Sequence, residues 1–163
     1  MQWARALPPN VPILDVGCGH GVPISRALIE DGFVIYGVDA SASMTAAFCE
    51  RFPQAHVACA AVEDSDFFGR TFDGVMAWGL LFLLSADAQL TLIQRIGSAL
   101  NPGGRFLFTA PEQPCAWIDR LTSRQSLSLG TAAYSAAVSD AGLILVAEYQ
   151  DEGDNHYYDA LKV

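Results

Sequence analysis

The chain has 163 residues, 52% of them apolar and 17% charged, which suits one well-cored domain and excludes a disordered chain. Nine basic residues stand against 18 acidic ones, a formal net charge of −9, and Lys162 is the only lysine. This balance argues against a nucleic-acid partner, whose phosphates call for clustered Lys and Arg, and no apolar run approaches the ~18 residues of a membrane span.

Residues 1–10 end in the breaker cluster Pro8-Pro9-Asn10 and show no signal-peptide pattern. Residues 12–16 read as a buried first strand running into Gly17-Cys18-Gly19-His20-Gly21, where alternate glycines let backbone approach a ligand. Pro23 suits the first turn of a helix over residues 23–31, which Gly32 stops. An apolar second strand over 33–38 is closed by Asp39, and Ser41 caps a helix carrying Met44, Ala47, Phe48 and Phe52. A third strand is expected over 56–60, a loop over 63–70 and a fourth strand over 72–77, with Trp78-Gly79 at its end.

Ser85 caps a helix with Leu90, Ile93, Ile96 and Leu100 inward, and Asn101-Pro102-Gly103-Gly104 stops it before a fifth strand over 105–109. Residues 110–130 lack a period and read as a loop with a short helix. A helix over 131–141, a sixth strand over 143–149, an acidic turn at 151–154 and a seventh strand over 156–163 complete the chain. Strands alternating with helices predict one α/β domain, a doubly wound parallel sheet with an antiparallel strand in its closing hairpin. The cysteines Cys18, Cys49, Cys59 and Cys115 lack metal spacing and favour free thiols in a reducing cytoplasm.

Strand, glycine loop and helix hold nucleotide-like ligands at the carboxyl edge of such a sheet. The dinucleotide pattern G-x-G-x-x-G is not met, because Val22 stands where its third glycine belongs, so a nicotinamide oxidoreductase fits poorly. Asp15 before the glycines is read as a ligand contact in preference to a strand-end turn former. A carboxylate at Asp39 can accept both hydroxyl protons of a ribose. Cys18 is a small residue fitted to a tight loop, and His20 is either a ligand contact or a loop filler.

Taken together, Ile13–Gly21, the segment Tyr36–Ser41, Thr71-Phe72-Asp73-Gly74-Val75 and Leu100-Asn101-Pro102-Gly103-Gly104 resemble the class I S-adenosylmethionine-dependent methyltransferases. The resemblance covers nearly the whole chain and implies a Rossmann-like sheet of seven strands in order 3-2-1-4-5-7-6, strand 7 antiparallel. It implies S-adenosylmethionine as cofactor, with Asp15, Gly17, Cys18, Gly19 and His20 around its methionine part and Asp39 on its ribose. Ala40 and Met44 would pack on the adenine. Ala61 stands where the family often has an acidic residue, which leaves Val62 and Glu63 to meet the adenine edge. Ala77-Trp78-Gly79-Leu80 departs from the motif of family members that methylate nucleic-acid bases or glutamine.

The resemblance further implies in-line transfer to a small-molecule acceptor lying outside strands 4 and 5. Trp78 and Phe82, with Trp117 and Arg120 from the 110–130 segment, are the residues placed to meet cofactor or substrate; both tryptophans are also readable as core, Trp117 more so than Trp78. Glu112 and His156 are the candidate bases, His156 also being readable as a plain hairpin residue. The acidic turn at 151–154 reads as solvated, and no metal site is expected. The family commonly places helices before strand 1, and here about ten residues precede it, a truncated N-terminal lid. The expected site is open, closed by a second subunit in a homodimer, or that of a cofactor-binding module without its own catalysis.

Overall fold

A computed structural model describes residues 3–120 and 122–163. Its strands are β1 (Pro12–Val16), β2 (Val34–Asp39), β3 (His56–Cys59), β4 (Phe72–Ala77), β5 (Leu100–Thr109), β6 (Cys115–Ile118), β7 (Gln125–Ser128), β8 (Leu143–Gln150) and β9 (His156–Lys162). Its helices are α1 (Ile24–Glu30), α2 (Ala42–Arg51), α3 (Ala86–Ala99) and α4 (Thr131–Asp140). Seven strands form one sheet in the order β3-β2-β1-β4-β5-β9-β8, and β6 pairs with β7 in a separate hairpin. β9 runs antiparallel to both β5 and β8, and the other pairings of the sheet are parallel. The expected order is therefore found, with two inserted strands before the last pair.

Each face of the sheet has its own core. On one face Phe106, Phe108 and Tyr158 of the sheet meet Leu92, Ile93 and Ile96 of α3 and Tyr134 and Val138 of α4. On the other, Ile13, Ile35 and Met76 meet Leu28 of α1 and Phe48 of α2, together with Trp3 of an N-terminal 3-10 turn, Trp3–Ala6, and Leu7 just after it. That turn is missing from the sequence reading, because four residues carry no period.

Two expectations are corrected. The Asn101–Gly104 segment does not precede the fifth strand but bulges out of it: Leu100 pairs with Phe72, Arg105 pairs with Gly74, and the residues between are extra on β5. Among the described residues, the 110–130 segment contains no short helix. Trp117 faces Ser126 and Cys115 faces Ser128 across an antiparallel hairpin. Ser126 and Ser128 are the buried positions of β7, so its inward face is polar and the usual apolar alternation of a strand is absent.

A buried polar knot fixes the base of this hairpin. The Tyr134 hydroxyl donates to Gln89 Oε1 at 2.6 Å and accepts from the Leu129 amide at 3.2 Å. Gln89 Nε2 donates to the carbonyls of Leu84 at 3.0 Å and Leu127 at 3.1 Å. One glutamine thus joins α3, α4, the loop before α3 and the hairpin. Tyr134→Phe leaves an amide and an amide oxygen buried without partners, and is expected to lower the unfolding free energy by about 1–3 kcal/mol in urea titration.

Candidate active site

The glycine loop is held by the end of β2. The amides of Gly17 and Cys18 both donate to the Val38 carbonyl, at 2.8 and 3.1 Å. The next residue, Asp39, spreads its carboxylate between two further amides, Gly19 at 2.9 Å and Ser41 at 2.8 Å. Asp39 therefore connects the loop to the start of α2, where Ser41 caps the helix by accepting from the Met44 amide. Arg51 at the far end of α2 returns to donate to the His20 carbonyl at 2.7 Å.

Two glycines are required by close approach. Gly21 has φ +82, and a Cβ there would sit 2.8 Å from the rings of Phe48 and Phe52. Gly37, opposite the loop on β2, leaves room for the Cys18 sulfur, which would lie 2.7 Å from a Cβ. Cys18 is buried, and that burial, followed by the charges of Asp15 and Asp39, pushes its thiol well above the usual range. It remains protonated and serves as packing.

Asp15 is the buried charge of the site. It is 3% exposed, and Ser25 of α1 donates to it at 2.5 Å. Desolvation raises its pKa to about 6, the Ser25 bond opposes that rise, and the nearby Asp39 charge adds to it. Ser25 follows Pro23 into the first turn of α1, so the start of α1 supplies the polar partner that the carboxyl needs.

A cavity of about 500 Å³ opens beside these groups. The sequence-predicted residues Asp15, Gly17, Cys18, Gly19, His20, Met44, Trp78 and Phe82 all line it. Asp39 stands behind it, bonded to the Gly19 amide. Asp119 and Thr122 reach it from the tip of the β6–β7 hairpin, and Asn155 reaches it from the β8–β9 turn. The hairpin tip is locally built: Asp119 Oδ1 accepts from the amide and hydroxyl of Thr122 at 2.7 and 2.9 Å. The N-terminal 3-10 turn lies elsewhere, in the core on one face of the sheet, and contributes no wall to this cavity.

A second chamber of about 210 Å³ adjoins the first, with Phe82 and Asn155 in the walls of both. Trp117 and His156 line it, and the Phe82 and Trp117 rings meet at 5.4 Å between centroids. His156 Nε2 lies 2.9 Å from Glu148 Oε2. Thr131 contacts Glu148 on one side and the Tyr158 hydroxyl on the other, at 3.5 and 2.8 Å.

The remaining predicted residues lie outside both cavities. Ala40 is exposed after β2. Val62 is buried and Glu63 exposed in a loop that Arg95 of α3 holds by donating to their carbonyls at 2.6 and 3.0 Å. Arg120 is exposed on the hairpin. Glu112 offers its backbone carbonyl to the Thr131 amide at the start of α4, while its side chain lines neither cavity. The acidic turn is more than a solvated run: Asp151 accepts from Tyr157 at 2.8 Å, from the amides of Gly153 and Asn155, and from the Asn155 side chain. Hydrogen bonds from Asn155 and Tyr157 draw its pKa down to about 2. Tyr157 in turn accepts from Trp78 Nε1 at 3.1 Å, so the closing turn and the end of β4 are connected.

Ser25, Arg95, Thr122, Glu148 and Tyr157 are absent from the sequence-predicted set. Only Ser25 carries a sequence signal, through its place in the first turn of α1.

The family model described as "Methyltransferase domain" matches residues 13–104, more than half of the chain. A tRNA U34 carboxymethyltransferase from Nautilia profundicola is 28% identical over 102 residues, covering 60% of this chain and 33% of that protein. The chain thus spans one third of that relative's length. In fold it is similar to 1,6-didemethyltoxoflavin-N1-methyltransferase from Burkholderia thailandensis, a structure with bound S-adenosylhomocysteine, at TM-score 0.80 and 21% identity over 95% of this chain and 72% of that one. An S-adenosylmethionine-dependent methyltransferase from Mesorhizobium loti gives TM-score 0.78 at 19% identity, covering 99% and 96% of the two chains. With its motifs on one sheet edge and the family model over β1–β4, the chain belongs to the methyltransferase domain family, the class I fold whose cofactor is S-adenosylmethionine.

Proposed function

We propose that this chain transfers a methyl group from S-adenosylmethionine to a small-molecule acceptor, within a single domain. The observation that carries the reading is the pair of joined cavities at the carboxyl edge, one beside the glycine loop and a smaller one beyond Phe82 and Asn155. When bound, the cofactor supplies an activated methyl group on a sulfonium, so the protein's work is chiefly to position the two reactants.

The chain's own residues divide accordingly. Asp39 keeps acceptor capacity toward ribose hydroxyls while its amide bonds hold the glycine loop in place. Asp15 faces the methionine part, where an ammonium would compensate its buried charge. Met44 lies half-exposed at the cavity wall, suited to an adenine face. Asp119 and Thr122 of the hairpin after β5 give the cofactor cavity cover on that side. His156, with one ring nitrogen occupied by Glu148, presents the other as a proton acceptor for acceptors that must lose a proton.

A chamber of about 210 Å³ is smaller than the usual drug-sized pocket and favours a compact acceptor. The net charge of −9 weighs against transferring the tRNA relative's substrate to this chain.

Asp39→Ala is expected to weaken S-adenosylhomocysteine binding at least tenfold in titration calorimetry, and no heat with the wild-type chain would remove the cofactor reading. Tight binding with persistent silence across an acceptor panel would favour a cofactor-binding module without catalysis.

Asp15 gives two pH-dependent expectations. Its carboxyl must be ionised to pair with an ammonium, so cofactor affinity is expected to be flat above pH 7 and to fall below about pH 6. Its folded pKa is raised above the usual value of 3.8, so folding disfavours the ionised form and stability is lost as pH rises from about 4 through about 6. The difference amounts to roughly 3 kcal/mol at neutral pH. Asp15→Asn keeps an oxygen for Ser25 and removes the charge. Urea unfolding is expected to show the variant more stable than wild type by that order at pH 7.5, with the gain vanishing near pH 4, while cofactor binding is lost.

A further inference from the structure

We infer that the acceptor is a small primary or secondary amine carried on an aromatic or apolar body, and that the second chamber selects it by charge. The inference rests on the methyl-transfer reading above and concerns the chamber formed by Phe82, Pro111, Trp117, Asp154, Asn155 and His156.

Charge points one way throughout this region. Among the described residues, neither cavity has a lysine or arginine in its wall, whereas Asp15 and Asp119 line the first and Asp154 lines the second. Glu148 stands directly behind His156. An acceptor carrying a carboxylate or phosphate would meet Asp154 in a chamber wall that offers it no lysine or arginine. A protonated amine meets a carboxylate rim and two aromatic faces, both favourable to a cation. Phe82 and Trp117 form the apolar side of the chamber, and Pro111 extends it. These groups suit the body that carries the amine.

The polar side is built. Asp154 holds a left-handed turn position at φ +60, and Gln150 Nε2 donates to its Oδ1 at 3.3 Å, leaving its other oxygen for an ammonium. Asn155 is fixed by two bonds from its side chain to Asp151, at 3.1 and 3.0 Å. An ammonium must lose a proton before its nitrogen lone pair can accept a methyl group. His156 takes that proton at the ring nitrogen not engaged by Glu148, and the resulting imidazolium stays paired with the Glu148 carboxylate. The same wall that attracts the cation therefore also removes the proton that makes it a cation.

The test uses the full chain saturated with S-adenosylhomocysteine and two matched probe sets: 2-phenylethylamine, 2-phenylethanol and phenylacetate, then tryptamine, tryptophol and indole-3-acetate. Titration calorimetry is expected to show the amine of at least one set binding about tenfold more tightly than its alcohol and its acid. Asp154→Asn, which tolerates the left-handed turn, is expected to remove most of that preference while S-adenosylhomocysteine affinity stays within about twofold. The unchanged cofactor affinity reports an intact fold. Equal affinities within both sets, tighter binding of the acids, silence of both amines, or a preference that survives Asp154→Asn overturns the inference and leaves the cofactor reading standing. Absence of S-adenosylhomocysteine binding overturns both.

Discussion

The last two residues of β2 govern the site. Val38 spends its carbonyl on two loop amides and Asp39 spends its carboxylate on two more, so the glycine loop takes its shape from the strand beside it. A loop rich in positive φ angles would otherwise sample many conformations, and binding would carry the entropy cost of ordering it. Here the ordering is done by folding. The packing beneath reinforces it: Phe48 and Phe52 fill the space under Gly21, and the Cys18 sulfur fills the space over Gly37. The cofactor wall is thus part of the hydrophobic core on that face of the sheet.

The same arrangement concentrates unfavourable charge. Asp15 is buried near Asp39, and among the described residues Ser25 alone offers it a hydrogen bond. Such a carboxyl opposes folding at neutral pH and is favourable only when a ligand's positive group arrives. The remaining carboxylates around the cavities are more exposed and are held by hairpin and turn amides, as Asp119 and Asp151 show. The site is therefore anionic in two ways: a buried charge near the glycine loop and more exposed carboxylates around the cavities.

Much of this was legible in residue order. Strand, glycines, Pro23 and Asp39 are local signals, and they place the cofactor edge because a parallel sheet brings the ends of β1, β2 and β4 together. The adenine side was less legible, because Val62 and Glu63 are held by Arg95, a helix residue 33 and 32 positions later whose role depends on tertiary packing alone. The hairpin was illegible for a different reason. β7 buries serines inward, so neither helical nor strand periodicity survives in its sequence. Glu148 escaped notice because its partner His156 lies across a turn, and only the β8–β9 register makes them neighbours.

The base of that hairpin is fastened within the core. Gln89 and Tyr134 secure it deep in the protein, while at the tip Asp119 accepts from Thr122 and both residues line the larger cavity. Sequence drift at the tip can therefore proceed without loosening the knot below. A lineage carrying this scaffold has a place where the lining of the larger cavity can change by single substitutions while the Gln89–Tyr134 knot stays as it is.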